Sequence, residues 1–267
     1  ARGGGPGPGI PMSKAVGLAW VWVMLAIAPA LGADLSAEQV HAIVAAAASD
    51  RPADLSGKSL ENLDLSNFDF RRANLSGANL FGAKLVGADF SGVDLSGAKL
   101  DLAWIMRANF TDANLSRSSL LGLVVASGLD YSAAEAPTFR GANFSGAHVL
   151  ARLARFDLRG ADFRGAKMGA DMKNQSMGLM RCDLSGSDLA GANFSKTDLS
   201  LALMRFANLT GANFAGANLS GADLSGADLT GADLTGADAT EADFGGAVLT
   251  NARGLDTMKG WKPPPGR

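Results

Sequence analysis

Large apolar side chains return along this chain at every fifth position, as Leu55, Leu60, Leu65, Phe70, Leu75, Leu80, Leu85, Phe90, Leu95, Leu100, Ile105, Phe110, Leu115 and Leu120. A period of five fits no straight element. Five residues of α-helix turn through about 500°, so the apolar positions would wander round the cylinder. In a straight strand an odd period would send successive leucines to opposite faces. The chain must therefore turn a corner within every repeat. Two positions before each large residue stands a small one, such as Ala73, Ala78, Ala83, Ala88, Ala98, Ala108 or Ala113, and strand alternation puts both on the same, inward side. Between them lies Asp or Asn, and Ser-Gly or Thr-Gly commonly follows, supplying an outward polar group and a permissive corner. The bulky exceptions set the number of sides. Phe70, Phe90 and Phe110 are 20 residues apart, as are Phe194 and Phe214, so four five-residue sides close one coil. Stacking at the strand spacing of about 4.8 Å then piles the phenylalanines into one column and the leucines into the others. The pattern runs to Leu249, which predicts about ten coils and a rod near 50 Å long.

Stretches such as Ala73-Asn74-Leu75-Ser76-Gly77 and Ala222-Asp223-Leu224-Ser225-Gly226 resemble the A-(D/N)-L-x-x motif of the pentapeptide-repeat family, over about 195 residues. The resemblance implies an all-β fold, a right-handed four-sided parallel β-solenoid. Three places depart from the pattern. Residues 126–137 break the register and are expected to form an external loop. The step from Val149 to Leu158 is one residue short, and residues 168–180 shift the register back by one; bulged corners are expected at both.

Ahead of the repeats, Ser36 and Gln39 have capping-box spacing, with Val40, Ile43, Val44 and Ala47 following at helical intervals, which predicts a short helix covering the open end of the stack. Ala15 to Ala33 carry no charge, with Lys14 before them and Asp34 after. This reads as a signal peptide whose apolar run ends near Pro29; the rival reading is a retained membrane anchor, since 19 uncharged residues reach the lower edge of a span. Either way the positive flank places the rest of the chain across the membrane, in a periplasm or, in a photosynthetic organism, a thylakoid lumen. Residues 1–11 precede Met12, which looks like a natural start. The expected organisation is a leader over 1–33, a capping helix over 34–50, the solenoid over 51–252 and a closing tail over 253–267, in which Leu255, Met258 and Trp261 close the last coil ahead of Pro263-Pro264-Pro265.

Charge adds a local signal. The formal net charge is −2, too near neutral to indicate nucleic acid or an acidic substrate as a partner. Residues 139–181, however, hold eight basic side chains against three acidic ones, and residues 206–252 hold six acidic ones and no Lys or Arg. Chemistry is sparse by comparison. His41 and His148 have no companion ligands, Cys182 stands where Ala usually does, and the recurring Asp223, Asp228, Asp233, Asp238 and Asp243 read as a solvated ladder. The loop residues Asp130, Tyr131 and Glu135 make no catalytic constellation. No catalytic, metal or cofactor site is expected, and no small-molecule substrate. Candidate protein-contact residues are an outward apolar group, Val86, Trp104 and Met106, and the basic group Arg152, Arg155, Arg159 and Arg164; the alternative for the apolar group is that the 126–137 loop folds over it. The functional expectation is a non-enzymatic, exported rod that binds or scaffolds an unidentified protein, touching membrane only through residues 15–33 if these are not cleaved. Two alternatives stand beside it. One is a DNA-mimicking, gyrase-interacting protein, which the resemblance suggests and the charge argues against. The other is a membrane-anchored structural subunit of a larger complex.

Overall fold

The computed structural model describes residues 32–48, 50–126, 133–171 and 180–262, and over these the chain is a β-solenoid. Regular elements are short. Helix α1 (Ala37–Ala45) precedes four strands of two or three residues, β1 (Ala53–Asp54), β2 (Ala73–Asn74), β3 (Ser119–Leu121) and β4 (His148–Leu150). The strands pair in parallel, β1 with β2 and β3 with β4, and the rest of the stack is held by single-residue parallel bridges.

One repeat shows why the five-residue unit is stable. From Asn79 to Ala83 every backbone N–H is satisfied: Asn79 donates to Lys58 O in the preceding coil, Leu80 to Lys99 O and Gly82 to Asp101 O in the following one, and Ala83 closes the corner onto Leu80 O. The fifth, Phe81 N–H, donates to the Asn79 side-chain Oδ1 at 3.2 Å. A hydrogen bond of this kind contributes about 0.5–1.5 kcal/mol, so where a repeat carries Asp or Asn the side chain completes the corner and does more than coat the surface.

Bridges link most residues to one 20 further on, as in Asp64↔Lys84 and Lys84↔Trp104. The offset becomes 29 at Asn109↔Thr138, 19 at Thr138↔Asp157 and 31 at Arg152↔Asp183, and returns to 20 at Asp183↔Leu203. Nine extra residues therefore enter between Val124 and Thr138, ending in a 3-10 turn at Ala133–Glu135. One residue is missing between His148 and Arg152. The third departure is larger than a bulged corner. Eleven extra residues leave between Met168 and Cys182, with Asp171 and Met180 paired antiparallel at the stem; because eleven exceeds two repeats by one, the sequence alone displayed only a one-residue shift.

The interior is filled by buried Leu, Ala and Phe. The phenylalanines form two stacks where one was expected. Phe70, Phe90, Phe110 and Phe139 lie nearly parallel at centroid separations of 4.7 to 4.9 Å, with Phe156 following at 6.2 Å. Phe144, Phe163, Phe194 and Phe214 make the second stack at 4.7 to 5.0 Å. Phe139 and Phe144 are adjacent repeats of the same coil, in tilted contact at 5.4 Å, so the aromatic burden passes from one inner column to its neighbour as the stack crosses the first insertion.

Both ends of the stack are covered. Ser36 Oγ accepts from Gln39 N and Gln39 Oε1 accepts from Ser36 N, starting α1 with a complete capping box, and the helix buries Val40 against the first coil. At the other end Trp261 meets Phe244 edge to face at 5.1 Å, and Met258 is buried. The uncharged leader before Gly32, Asp130, Tyr131, Lys173 and the proline run at 263–265 lie outside the described residues. No helix among the described residues is long and apolar enough to cross a membrane.

Candidate functional site

Outward residues sort into four bridge-linked columns. The first begins Asp54, Asn74, Asp94, Asn114 and the second Ser59, Asn79, Lys99, Ser119. Followed to Arg253 and to Lys259 respectively, both columns are polar at every level. The fourth runs from Asp69 through Asp89 and Asn109 to Val248, and Val248 is its one apolar residue. The third differs. It runs Asp64, Lys84, Trp104, Val124, resumes at Arg152, and continues through Asp183, Leu203 and Asp223 to Asp243.

Exposed apolar residues gather on this third column and its two bordering corners. Trp104 is 40% exposed, and Leu102, Phe81 and Phe206 lie at the corners beside it, Phe206 at 75%. Leu121, Leu201 and Leu203 are half-buried in the same zone. Such segregation is unlike the scattered single hydrophobics of an ordinary surface. All three register changes also occur at these two corners. The nine-residue insertion leaves the corner after Val124, and the missing residue and the eleven-residue excursion occupy the corner before Arg152 and Asp183.

The sequence-selected contact residues fare unequally. Trp104 is exposed and Val86 half-buried. Met106 is not outward: it is 7% exposed. Its neighbour Arg107 donates its N–H to Glu135 O at 2.9 Å, which brings the 3-10 turn of the first insertion onto this corner, so the loop covers Met106 and leaves Trp104 open. The basic group does not form one patch. Arg159, at the corner after the fourth column, donates bidentately to Asp157 at 2.8 and 2.5 Å and lies 3.5 Å from Asp188. Since Asp157 and Asp188 are stacked bridge partners, the guanidinium relieves a like-charge step. Arg71 does the same between Asp69 and Asp89. Arg164 is tied to Asp162 beside the first column. Only Arg152, in the third column, and Arg155, at its corner, are exposed with no described carboxylate in ion-pair range.

The acidic ladder is more than solvated charge. Asp228, Asp233 and Asp238 accept from the N–H two residues on, at 2.9 to 3.0 Å. Hydroxyl donation from Thr230 and Thr235 holds the Asp228 and Asp233 carboxyls below the usual carboxylate range, and Lys259 with Thr240 brings Asp238 to about 2. Arg205, Arg253 and Lys259 pair with Asp223, Asp233 and Asp238 respectively, tempering the acidic end.

Groups suited to catalysis are scattered. Cys182 is fully buried, and desolvation pushes its thiol up to about 12, the opposite of an activated nucleophile. His41 lies edge-on to Phe68 at 5.6 Å, and no described cluster of His, Cys, Asp and Glu could hold a metal. Two hollows are open: one of about 800 Å³ lies between α1 and the first corners, lined by His41, Phe68, Asp69 and Arg72, and another of about 600 Å³ lies beside Leu121, His148, Lys167 and Asp198. Neither juxtaposes a nucleophile with a base.

Comparison with known proteins returns one family. A profile described as Pentapeptide repeats matches in eight copies over residues 53–92, 73–112, 179–216 and 217–253, which together exceed half of the chain. Similar solved structures include HetL, a pentapeptide repeat protein involved in heterocyst differentiation regulation from the cyanobacterium Nostoc sp. strain PCC 7120, at 26% identity over 84% of this chain and 96% of that one, TM-score 0.35. QnrB1, a plasmid-mediated fluoroquinolone resistance protein, is 26% identical over 73% of this chain and 92% of its own, TM-score 0.39. A pentapeptide repeat protein of the Arabidopsis thaliana thylakoid lumen is 25% identical over 59% and 69%, TM-score 0.16. No curated protein matches the chain.

Proposed function

This chain belongs to the pentapeptide-repeat family, and from that premise we propose that it is a non-enzymatic, exported, protein-binding rod whose third column is the contact wall. In this reading the four columns are the walls of a right-handed quadrilateral solenoid of about ten coils, with α1 as its cap. The observation that carries the proposal is the concentration of exposed apolar side chains, unpaired Arg152 and Arg155, and every register change on one wall and its borders. Purely polar walls such as the first two columns keep the rod soluble; an apolar wall is costly in water unless something covers it. Catalysis is disfavoured by a filled interior and an inert buried thiol. A nucleic-acid mimic would need a continuous run of free carboxylates, whereas these alternate with Asn and are met by Arg205, Arg253 and Lys259.

Affinity capture from the native host, comparing the protein with its Trp104→Asp variant, tests the wall. Loss of binding in the variant, with thermal stability unchanged, is expected; equal capture by both overturns it. Fractionation tests export separately. Recovery in the cytoplasm with Met12 retained would end that part of the reading, and a full-length form in the membrane fraction would make residues 15–33 an anchor.

A further inference from the structure

We propose that the contact wall takes a second copy of the same chain, packed side-on with the two rods antiparallel about a twofold axis at the level of Arg152. The inference rests on the reading of the third column as a contact wall and adds the identity of its occupant. Of the nine levels from Asp64 to Asp243, Arg152 is the fifth. Two of the three apolar levels lie symmetrically about it, Trp104 third and Leu203 seventh; the remaining one, half-buried Val124 at level four, faces Asp183. An isologous antiparallel contact brings level three of one copy against level seven of the other, twice.

The corners match as well as the column. A twofold axis lying across the wall keeps each edge on its own side, so Leu102 meets the other copy's Leu201, both half-buried or exposed at the same corner. On the opposite edge the exposed Arg107 meets the exposed ring of Phe206, a pairing suited to a cation over an aromatic face. One level further out, Lys84 faces Asp223. At the centre Arg152 faces its own copy, and Asp183, one level along, supplies each guanidinium with a carboxylate across the interface. The only like-charged facing pair at the rim is Asp64 with Asp243, at the solvated ends. The two insertions start from opposite edges of the wall. A wall of nine levels at about 4.8 Å and roughly 12 Å wide buries about 500 Å² per copy, near the lower bound of stable interfaces, so the dimer is weak and concentration-dependent.

Sedimentation of the purified protein from about 1 to 200 µM is expected to show a monomer–dimer equilibrium with a micromolar dissociation constant. Trp104→Asp and Leu203→Asp should each weaken it at least about tenfold, as central apolar anchors do, while Asn114→Asp on the first column leaves it unchanged. Lys84→Glu should weaken the dimer, and Asp223→Lys in the same chain should restore it, an effect that misfolding cannot imitate. Oxidation of a variant carrying both Leu102→Cys and Leu201→Cys should cross-link the dimer, and Leu102→Cys alone should not. A monomer at every concentration, a dimer indifferent to Trp104→Asp, or efficient cross-linking through Leu102→Cys alone overturns the proposal. A monomeric protein that still loses a captured partner on Trp104→Asp would sink the dimer and leave the contact wall standing.

Discussion

Corner residues carry the sharpest local constraint. The second corner position is left-handed in most repeats, and glycine fills most of these corners, but Leu102, Leu201 and Phe206 occupy it at φ of 58°, 59° and 55°. An L-residue there costs roughly 1–2 kcal/mol. These side chains lean over the next coil: a Cβ on Gly122 would lie 2.9 Å from Leu102 Cδ2, one on Gly221 2.7 Å from Leu201 Cδ2, and one on Gly226 would collide with the Phe206 ring. A bulky corner thus requires glycine one level on. Phe206→Asn, which tolerates the left-handed backbone, should raise the melting temperature by about 1–3 °C; Gly226→Val should destabilise by about 2–3 kcal/mol, with partial recovery in the Phe206→Gly background. Thermal melts of the four proteins decide it. From sequence the permissive corner was legible, because Gly follows Ser or Thr so regularly. The Asp and Asn side chains that accept the Phe81-type N–H were not, since the outward direction of those residues suggested only solubility.

Within the coil, irregularity is absorbed by a few polar substitutions at small inward positions. Ser187 replaces the usual Ala, donates to Leu153 O at 2.6 Å and accepts from Phe156 N at 3.1 Å, stitching together the levels just after the missing residue. Thr197 donates to Phe163 O in the same manner. Ser187→Ala removes both of these buried hydrogen bonds and should cost about 1–3 kcal/mol in chemical denaturation, whereas Cys182→Ala, which only trims a small buried group, should cost less. The excursion is the converse case. Excising residues 171–181 joins Ala170 to Cys182 and restores the 20-residue offset, so the shortened protein should keep its circular-dichroism spectrum and a melting temperature within a few degrees; a collapsed spectrum would show that the stem is structural. Sequence periodicity located all three breaks but sized only the single missing residue well, because phase is read modulo five. For the same reason the transfer of the phenylalanine stack at Phe139 and Phe144 was hidden: the insertion resets the count on which a 20-residue spacing depends. Met106 was placed outward correctly by column and wrongly by exposure, as no pattern reveals where a loop lands.

At the scale of the whole molecule, charge is organised by the same stacking. Several stacked carboxylates, among them Asp54, Asp64, Asp157, Asp228 and Asp233, are held below the usual carboxylate range by neighbouring hydroxyls, guanidiniums and N–H groups, and Asp69, through Arg71, and Asp238, through Lys259, are brought to about 2. Their folded values lie below the unfolded 3.8, so the unfolded chain binds more protons as pH falls and the stabilisation is present above 3.8 and lost on the way to 2. Melting temperature should therefore be nearly flat from pH 7 to about 5 and fall steeply between about 4 and 2; a loss beginning above pH 6 would point to histidine and contradict the assignment.

Stacked levels can be multiplied at will, yet this stack is stopped at both ends, by Val40 of α1 on one side and by Trp261 against Phe244 on the other. Length is thereby fixed in the gene and not by association. Adding or removing a 20-residue block moves the two termini apart or together by one strand spacing, about 4.8 Å, which makes the protein a ruler graduated in single coils, able to set how far apart two things bound along it are held.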